Sequence, residues 1–257
     1  MAVIEAKNIK KSYGKNETKF DALKGVDLKV EKGEFVAIMG PSGSGKTTLL
    51  NCVATLDTPT SGRVLLDGTD PHSFRPNQLA DFRRQNLGFV FQNYNLLAPL
   101  TVIENIVLPL TLERKSPEEM LPAAEALMKE LGILALRDKR IYQLSGGEAQ
   151  RVAICRALIH EPSLILADEP TGNLDSKAAN SVMELLSQLN EERQVTTLMV
   201  THDAFSASFC NRVVFIKDGR FYNEIYLGNN RDEFYQKILT VLSHLGGRSH
   251  ELLQADY

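Results

Sequence analysis

Gly45, Lys46 and Thr47 close the run GPSGSGKTT (40–48), whose residue types and spacing suit the binding of a triphosphate. Gly40, Gly43 and Gly45 let backbone N–H groups turn inward around phosphate oxygens, with Pro41, Ser42 and Ser44 completing the loop. A helix opening at Lys46 adds the partial positive charge of its N-terminus. The Lys46 ammonium reaches the terminal phosphates, the Thr47 hydroxyl is placed for Mg2+, and Thr48 carries the run into the helix. The flanks supply the context the motif needs: GEFVAIMG (33–40) has the apolar content of a buried strand and KTTLLNCVATL (46–56) that of the following helix.

Hydrolysis also needs a base and a place for the metal. In LILADE (164–169) an apolar strand delivers Asp168 at its carboxyl end, with Glu169 immediately after it. Neighbours at a strand end project differently, so Asp168 can serve the metal shell while Glu169 polarises a water as general base. Gln92, after LGFVF (87–91), is a neutral side chain fit to ligate magnesium or orient water, and His202 ends the apolar run TLMVTH (197–202). A second glycine-rich helix start lies far along the chain in QLSGGEAQR (143–151), where Ser145, Gly146 and Gly147 can meet a phosphate. Glu148 follows Ser145 at capping-box spacing, so two roles fit it: support of the loop through the Ser145 amide, and contact with a nucleotide.

Elements that end in such loops must be short strands separated by helices, the pattern of a parallel α/β sheet with ligands at the carboxyl ends of its strands. PSLILAD (162–168) and VTTLMVTHD (195–203) repeat that pattern, whereas residues 92–160 read as helix and form an insertion. Within it Ser116 predicts an N-cap, with Pro117 in the first turn and Glu119 closing a capping box. Met120, Leu121, Ala124, Leu127, Met128 and Leu131 then form one apolar face that ends at Gly132. RVVFIKDGRFYNEI (212–225) predicts a hairpin turning at Asp218-Gly219. Asn230 predicts the cap of a last helix, with Phe234, Ile238, Val241, Leu242 and Leu245 on one face, stopping at Gly246-Gly247 and docking on its own domain or on a partner.

The 257 residues suit one core with a sizeable insertion. A net charge of −3 gives no bulk attraction to nucleic acid, which is not expected as a partner. Three unpaired, widely spaced cysteines suggest neither a disulfide framework nor a zinc site and fit a reducing cytosol. With no signal-like start and no run of 18 apolar residues, any membrane role is expected to come through a partner.

Taken together these segments resemble the ATP-binding cassette (ABC) family of transport ATPases over essentially the whole chain. GPSGSGKTT looks like its phosphate loop, Gln92 like its Q-loop residue and LSGGE (144–148) like its signature. LILADE looks like its Walker B strand with catalytic Glu169, GNLD (172–175) with Asp175 like its D-loop, and His202 like its switch histidine. Tyr13 resembles the aromatic residue that stacks on adenine, and lies ahead of the first clear strands. The resemblance implies an α/β fold of the P-loop NTPase class, an ABC-type nucleotide-binding domain with an inserted α-helical subdomain and an N-terminal antiparallel β region. Its boundaries would be an ATPase domain at 1–227, with a core of 1–91 and 160–227 and a helical subdomain at about 92–159, then a helical extension at 228–257. It further implies ATP and Mg2+ as cofactors, and Glu169, His202 and Gln92 as catalytic residues. Thr47, Gln92 and Asp168 would surround the metal. The phosphate loop, Tyr13, Ser145, Gly146, Gly147, Glu148 and Asp175 would surround the nucleotide.

ADEPTGNLD and LSGGE resemble the branch of macrolide exporters, lipoprotein-release ATPases and the cell-division ATPase. NLGFVFQNYNLL and the segment from Arg212 onward resemble the ATPase subunits of bacitracin-type peptide-antibiotic resistance transporters. That branch implies hydrolysis coupled to transport by an integral-membrane permease, two cassettes closing head to tail around two ATP molecules, and attachment to the cytoplasmic face of the membrane. A sensor kinase reached through the permease is the further partner of such systems. The stretch NYNLLAPLTVIEN (93–105), beside Gln92, is expected to receive the permease.

Overall fold

The computed structural model describes residues 1–15 and 18–246. Two sheets share the work. The first is antiparallel, in the order β2-β1-β4, from β1 (Ala2–Tyr13), β2 (Phe20–Glu31) and β4 (Ser61–Leu66). The second has six strands in the order β5-β6-β7-β3-β8-β9: β3 (Phe35–Met39), β5 (Leu87–Phe91), β6 (Leu164–Asp168), β7 (Thr196–Val200), β8 (Arg212–Lys217) and β9 (Arg220–Tyr226). Its pairings are parallel except for the β8–β9 hairpin. That hairpin turns at Asp218-Gly219, both with positive φ, as the Asp-Gly pair predicts.

β3 shows why the middle strands are apolar throughout. Phe35, Ala37 and Met39 enter one core, shared with the helices, while Val36 and Ile38 enter another, shared with the antiparallel sheet and α1 (Lys46–Val53). A strand with packing on both faces has no solvent side to alternate toward. Burying Phe35, Val36, Ile38 and Met39 stabilises the fold by roughly 1.5–3 kcal/mol each. Arg212 pins the hairpin beneath the first sheet, its buried guanidinium paired with Glu34 at 2.7 Å and Glu224 at 2.8 Å.

α2 (Pro76–Asn86) leads into β5, and α3 (Val102–Leu112), α4 (Pro117–Glu130) and α5 (Gly146–Leu158) follow before β6. Ser116 caps α4 with Glu119 in a capping box, and Met120, Ala124, Leu127, Met128 and Leu131 are buried as the apolar face requires. α6 (Ser176–Arg193) and the one-turn α7 (Ala204–Ala207) flank β7. α8 (Arg231–Gly246) docks on its own chain through Phe234, Ile238 and Leu245, after Asn230 Oδ1 accepts from the Asp232 amide at 2.8 Å. The expected stop at Gly247, with the rest of the extension, lies outside the described residues.

Two expectations need correction. α1 ends at Val53 rather than Leu56, because Thr55 takes φ +57° and the amides of Leu56 and Asp57 both turn back to the Asn51 carbonyl. Tyr13 does not precede the first strands; it ends β1, whose alternation is broken by bulges that shift its register with β2.

Candidate active site

The strands bring the chemistry to one edge. Phe91 of β5 pairs in register with Asp168 of β6, Asp168 with Val200 of β7, and Val200 with Ile38 of β3. The carboxyl ends of four adjacent strands are therefore level, and Gln92, Glu169, His202 and the phosphate loop all leave from that edge. His202 lies just past β7 rather than on it.

The loop at 40–48 curls through three glycines with positive φ. A Cβ at Gly45 would lie 2.6 Å from the Ala22 carbonyl oxygen, and one at Gly40 would lie 2.0 Å from that of Ile216, so neither position accepts a side chain. Lys46 Nζ donates to the Gly40 and Pro41 carbonyls at 2.9 and 3.0 Å, folding back over the loop it belongs to. Burial pushes the Lys46 ammonium below the ordinary lysine range, against the opposing charges of Glu169 and Asp168. Thr47 is exposed, Thr48 half-buried, and the hydroxyl of buried Ser44 has no hydrogen-bond partner.

Asp168 is raised above the usual carboxylate range, first by burial and then by the charge of Glu169, with the Thr47 hydroxyl and Lys46 pulling the other way. Its Oδ1 is buried without a hydrogen bond. A carboxylate oxygen desolvated and left unpaired beside a threonine hydroxyl is a donor set for a hard cation. Among the described residues no three His, Cys, Asp or Glu side chains cluster to hold a metal by themselves. Glu169 takes φ +49°, a left-handed conformation that costs a non-glycine residue roughly 1–2 kcal/mol and turns its carboxylate off the strand line. That carboxylate meets His202 Nδ1 at 2.9 Å. The same carboxylate and imidazole line a cavity of about 770 Å³, walled on the far side by Tyr235, Leu239 and Leu242 of α8.

Gln92 is not joined to Asp168 or Thr47 by any hydrogen bond; its Nε2 donates to Asn173 Oδ1 at 3.2 Å. Asp175 caps α6, accepting from the Ala178 amide at 2.9 Å. Ser145 caps α5: its amide and hydroxyl donate to Glu148 Oε2 at 2.7 and 2.8 Å, and its Oγ accepts from the Glu148 amide at 3.3 Å. The capping box expected from their spacing is therefore present, and it lowers the Glu148 pKa through the Ser145 amide and then its hydroxyl. Gly146 and Gly147 lie against Tyr94, Leu174 and Ala178, and no hydrogen bond among the described residues ties 144–148 to 40–48. One chain thus brings Lys46, Thr47, Asp168, Glu169 and His202 together but leaves its second glycine-rich helix start apart from its own phosphate loop.

Tyr13 donates from its hydroxyl to Asp57 Oδ2 at 2.6 Å, and Lys11 Nζ pairs with Asp57 Oδ1 at 2.5 Å while sitting 4.9 Å from the Tyr13 ring centroid. Sequence reasoning did not find Asp57; Tyr94 lies in the stretch expected to receive the permease and Asn173 in GNLD, but the contact of Tyr94 with Gly146 and that of Asn173 with Gln92 were not foreseen. Lys11 and Tyr13 share one face of β1, which marks a pair but not its distant carboxylate, and the two loop residues carry no periodic signal.

A family model described as ABC transporter matches residues 23–172. The ABC transporter ATP-binding protein YxdL of Bacillus subtilis is 56% identical over 97% of this chain and 97% of its own length. The bacitracin export ATP-binding protein BceA of Halalkalibacterium halodurans is 49% identical over 96% of this chain and 98% of its own. Among solved structures, a dimeric post-hydrolysis state of the ATP-binding cassette MJ0796 bound to ADP and Pi superposes with a TM-score of 0.80 at 43% identity, covering 88% of this chain and all of that one.

Proposed function

The chain belongs to the family of ABC transporter ATP-binding proteins, and from that premise we propose that it is the energy-coupling ATPase of a membrane exporter that confers resistance to peptide antibiotics of the bacitracin kind. The observation that carries the coupling mechanism is the separation of the Ser145 helix start from the phosphate loop of the same chain. Two copies closing head to tail would each complete the other's site, as the dimeric state of a 43% identical cassette supports.

Residues 40–48 wrap the phosphates of ATP, Lys46 neutralises the terminal ones, and Tyr13 stacks on the base. Thr47, Asp168 and Gln92 would hold Mg2+ bound with the nucleotide, and the ion would supply charge neutralisation to the phosphates. Glu169 accepts a proton from water as the water oxygen bonds to the γ-phosphorus and the bond to the β–γ bridging oxygen breaks, the electron pair leaving with ADP. His202 orients Glu169 and the γ-phosphate side of the site. Ser145, Gly146 and Gly147 of the second copy close over that phosphate, Glu148 supports their loop, and Asp175 fixes the start of α6 at the same boundary. Release of phosphate reopens the pair, and the permease turns the movement into transport.

The permease docks beside Gln92 and holds the chain at the cytoplasmic face of the membrane; no helix among the described residues is long and apolar enough to cross one. A groove of about 520 Å³ supports this, lined by Phe89, Phe91, Leu108 and Leu112 with Arg84 and Arg156 at its edge. Asn105 is buried and holds the neighbouring loop closed through the Leu97 amide and the carbonyls of Leu97 and Thr101, so that loop presents a fixed surface. The core at 1–91 and 160–227 then carries the phosphate loop, Asp168, Glu169 and His202, while residues 92–159 supply the Ser145 helix start to the other copy and share with α2 and β5 the groove that meets the membrane partner. In bacitracin-type systems that partner relays to a sensor kinase, and the same relay is proposed here. The test is purification with the permease and measurement of ATPase stimulation across peptide antibiotics and lipid-linked wall precursors; no stimulation by any peptide antibiotic would overturn the substrate assignment.

A further inference from the structure

Asn173 makes three hydrogen bonds to the segment that begins at Gln92. Its Nδ2 donates to the Gln92 carbonyl at 3.1 Å and to Asn93 Oδ1 at 2.8 Å, and its Oδ1 accepts from Gln92 Nε2 at 3.2 Å. These bonds leave no freedom in how the two amides face each other. A backbone carbonyl can only accept, so the edge of Asn173 that meets it must be Nδ2. Its other edge, Oδ1, can also only accept, so Gln92 must present Nε2 to it. The Gln92 Oε1 is left as the unengaged end, and an amide ligates a hard cation only through that oxygen. Gly172 closes the arrangement from the other side, since a Cβ there would lie 2.7 Å from Gln92 Nε2.

We propose that Asn173 is a positioning residue that fixes the flip of the Gln92 amide, so that its oxygen and not its nitrogen is offered to the cation bound with the nucleotide. The inference rests on the proposed role of Gln92 toward that cation. Asn173 follows Glu169 and Gly172 in the turn between β6 and α6, so the same contact ties the orientation of Gln92 to the loop that leads on to Asp175. Both residues are solvent-accessible, and their hydrogen bonds exchange with water at little penalty. The effect is therefore on which end of the amide points where, not on the stability of the fold.

The experiment uses the full chain carrying Glu169→Gln, so that ATP is not consumed, and calorimetry of ATP binding with and without Mg2+. The quantity read is the factor by which Mg2+ tightens ATP binding. Asn173→Ala should cut that factor by about twofold or more, because a freely rotating Gln92 presents its nitrogen about half the time and loses its fixed position. In a Gln92→Glu background both ends of the side chain are oxygens, so there is no flip to fix and Asn173 Oδ1 faces another acceptor; there Asn173→Ala should cause no loss in the factor. An equal effect in both backgrounds, or none with Gln92 present, overturns the proposal. If Gln92→Ala alone leaves the factor unchanged, the role of Gln92 falls and this inference with it. Asn173→Leu, similar in shape without hydrogen-bonding groups, gives the same comparison should alanine disturb the turn.

Discussion

His202 Nδ1 lies 2.9 Å from both carboxylate oxygens of Glu169, with the imidazole largely exposed and the carboxylate mostly buried. The two groups proposed to manage the attacking water are thus engaged with each other. An imidazole that donates from Nδ1 to the carboxylate keeps Nε2 for a further contact, so a nucleotide can be sensed at one nitrogen while the base is held by the other. The left-handed backbone at Glu169 is what makes this geometry available, because an extended residue following Asp168 would project its side chain to the opposite face of the sheet.

Glu169→Gln should lower ATP turnover about a hundredfold or more while keeping ATP affinity, since an amide cannot take the proton from water yet fills the same space beside His202. The variant should also accumulate the closed dimer when ATP is added. Steady-state ATPase assays and size-exclusion chromatography with and without ATP check both; turnover at the parental rate would remove Glu169 as the base.

Asp168 gives a prediction of opposite sign for stability. Its pKa is raised in the folded chain, chiefly by burial, so the folded state holds a proton that the unfolded chain has lost between the ordinary carboxylate value and the raised one. Stability from this group is therefore fully present below the ordinary value, falls as pH rises through that window, and stays low at neutral pH. Asp168→Asn should raise the unfolding midpoint of the nucleotide-free protein at pH 7 by a few degrees, lose most of that gain at pH 4, and abolish Mg2+-dependent hydrolysis. Thermal unfolding at the two pH values reads the first two outcomes directly.

The parts of this molecule that were legible in its sequence are those fixed by local rules. The phosphate loop, the Ser116 and Ser145 caps, the Asp218-Gly219 turn and the apolar face of α8 each follow from residues within one or two turns of each other. The antiparallel sheet was harder to read residue by residue, because the alternation of β1 is interrupted by bulges and its pairing with β4 depends on positions far along the chain. The same reason hides Asn173 and Asp57. Each works through a single contact across a large sequence separation, and nothing in the immediate neighbourhood of either residue announces its partner.

The groove beside β5 separates docking from chemistry. Leu112 lines the groove and is 63% exposed, so a partner seated there would cover it. Leu112→Glu should leave the basal ATPase of the isolated chain within about twofold and reduce its stimulation by the permease about tenfold, the scale expected for a charge placed in an apolar contact. Tyr94 does not serve as a clean probe of docking, although it lies in the stretch expected to receive the permease. Its hydroxyl reaches Gly146, where an added Cβ would lie only 2.9 Å away, so Tyr94→Ala should disturb the Ser145 helix start as well. Stimulated and basal rates measured on the two variants distinguish these effects.

In the proposed site, where Tyr13 stacks on the base, Asp57 would act on base recognition without touching the base, through its hydrogen bond with the Tyr13 hydroxyl. Burial and the hydrogen bond to Asp57 both raise the Tyr13 pKa, so the phenol stays protonated and donating at any working pH. Burial works to raise the Asp57 carboxyl, but the contacts from Lys11 and Tyr13 outweigh it and leave it below the ordinary range. The ring is therefore fixed at its hydroxyl by Asp57 and at its face by Lys11, which leaves the opposite face for adenine. Tyr13→Ala should raise the KM for ATP about tenfold, in the range measured for loss of a stacking partner. Asp57→Asn should produce a smaller rise in KM with kcat unchanged, because the stacking ring remains but is no longer fixed by an ion-paired carboxylate. Inhibition by inorganic triphosphate separates this from a general loosening of the loop. It has no base to stack, so its inhibition constant should be the same in the parent and both variants, and a parallel weakening would show that Asp57 acts on the phosphate loop instead.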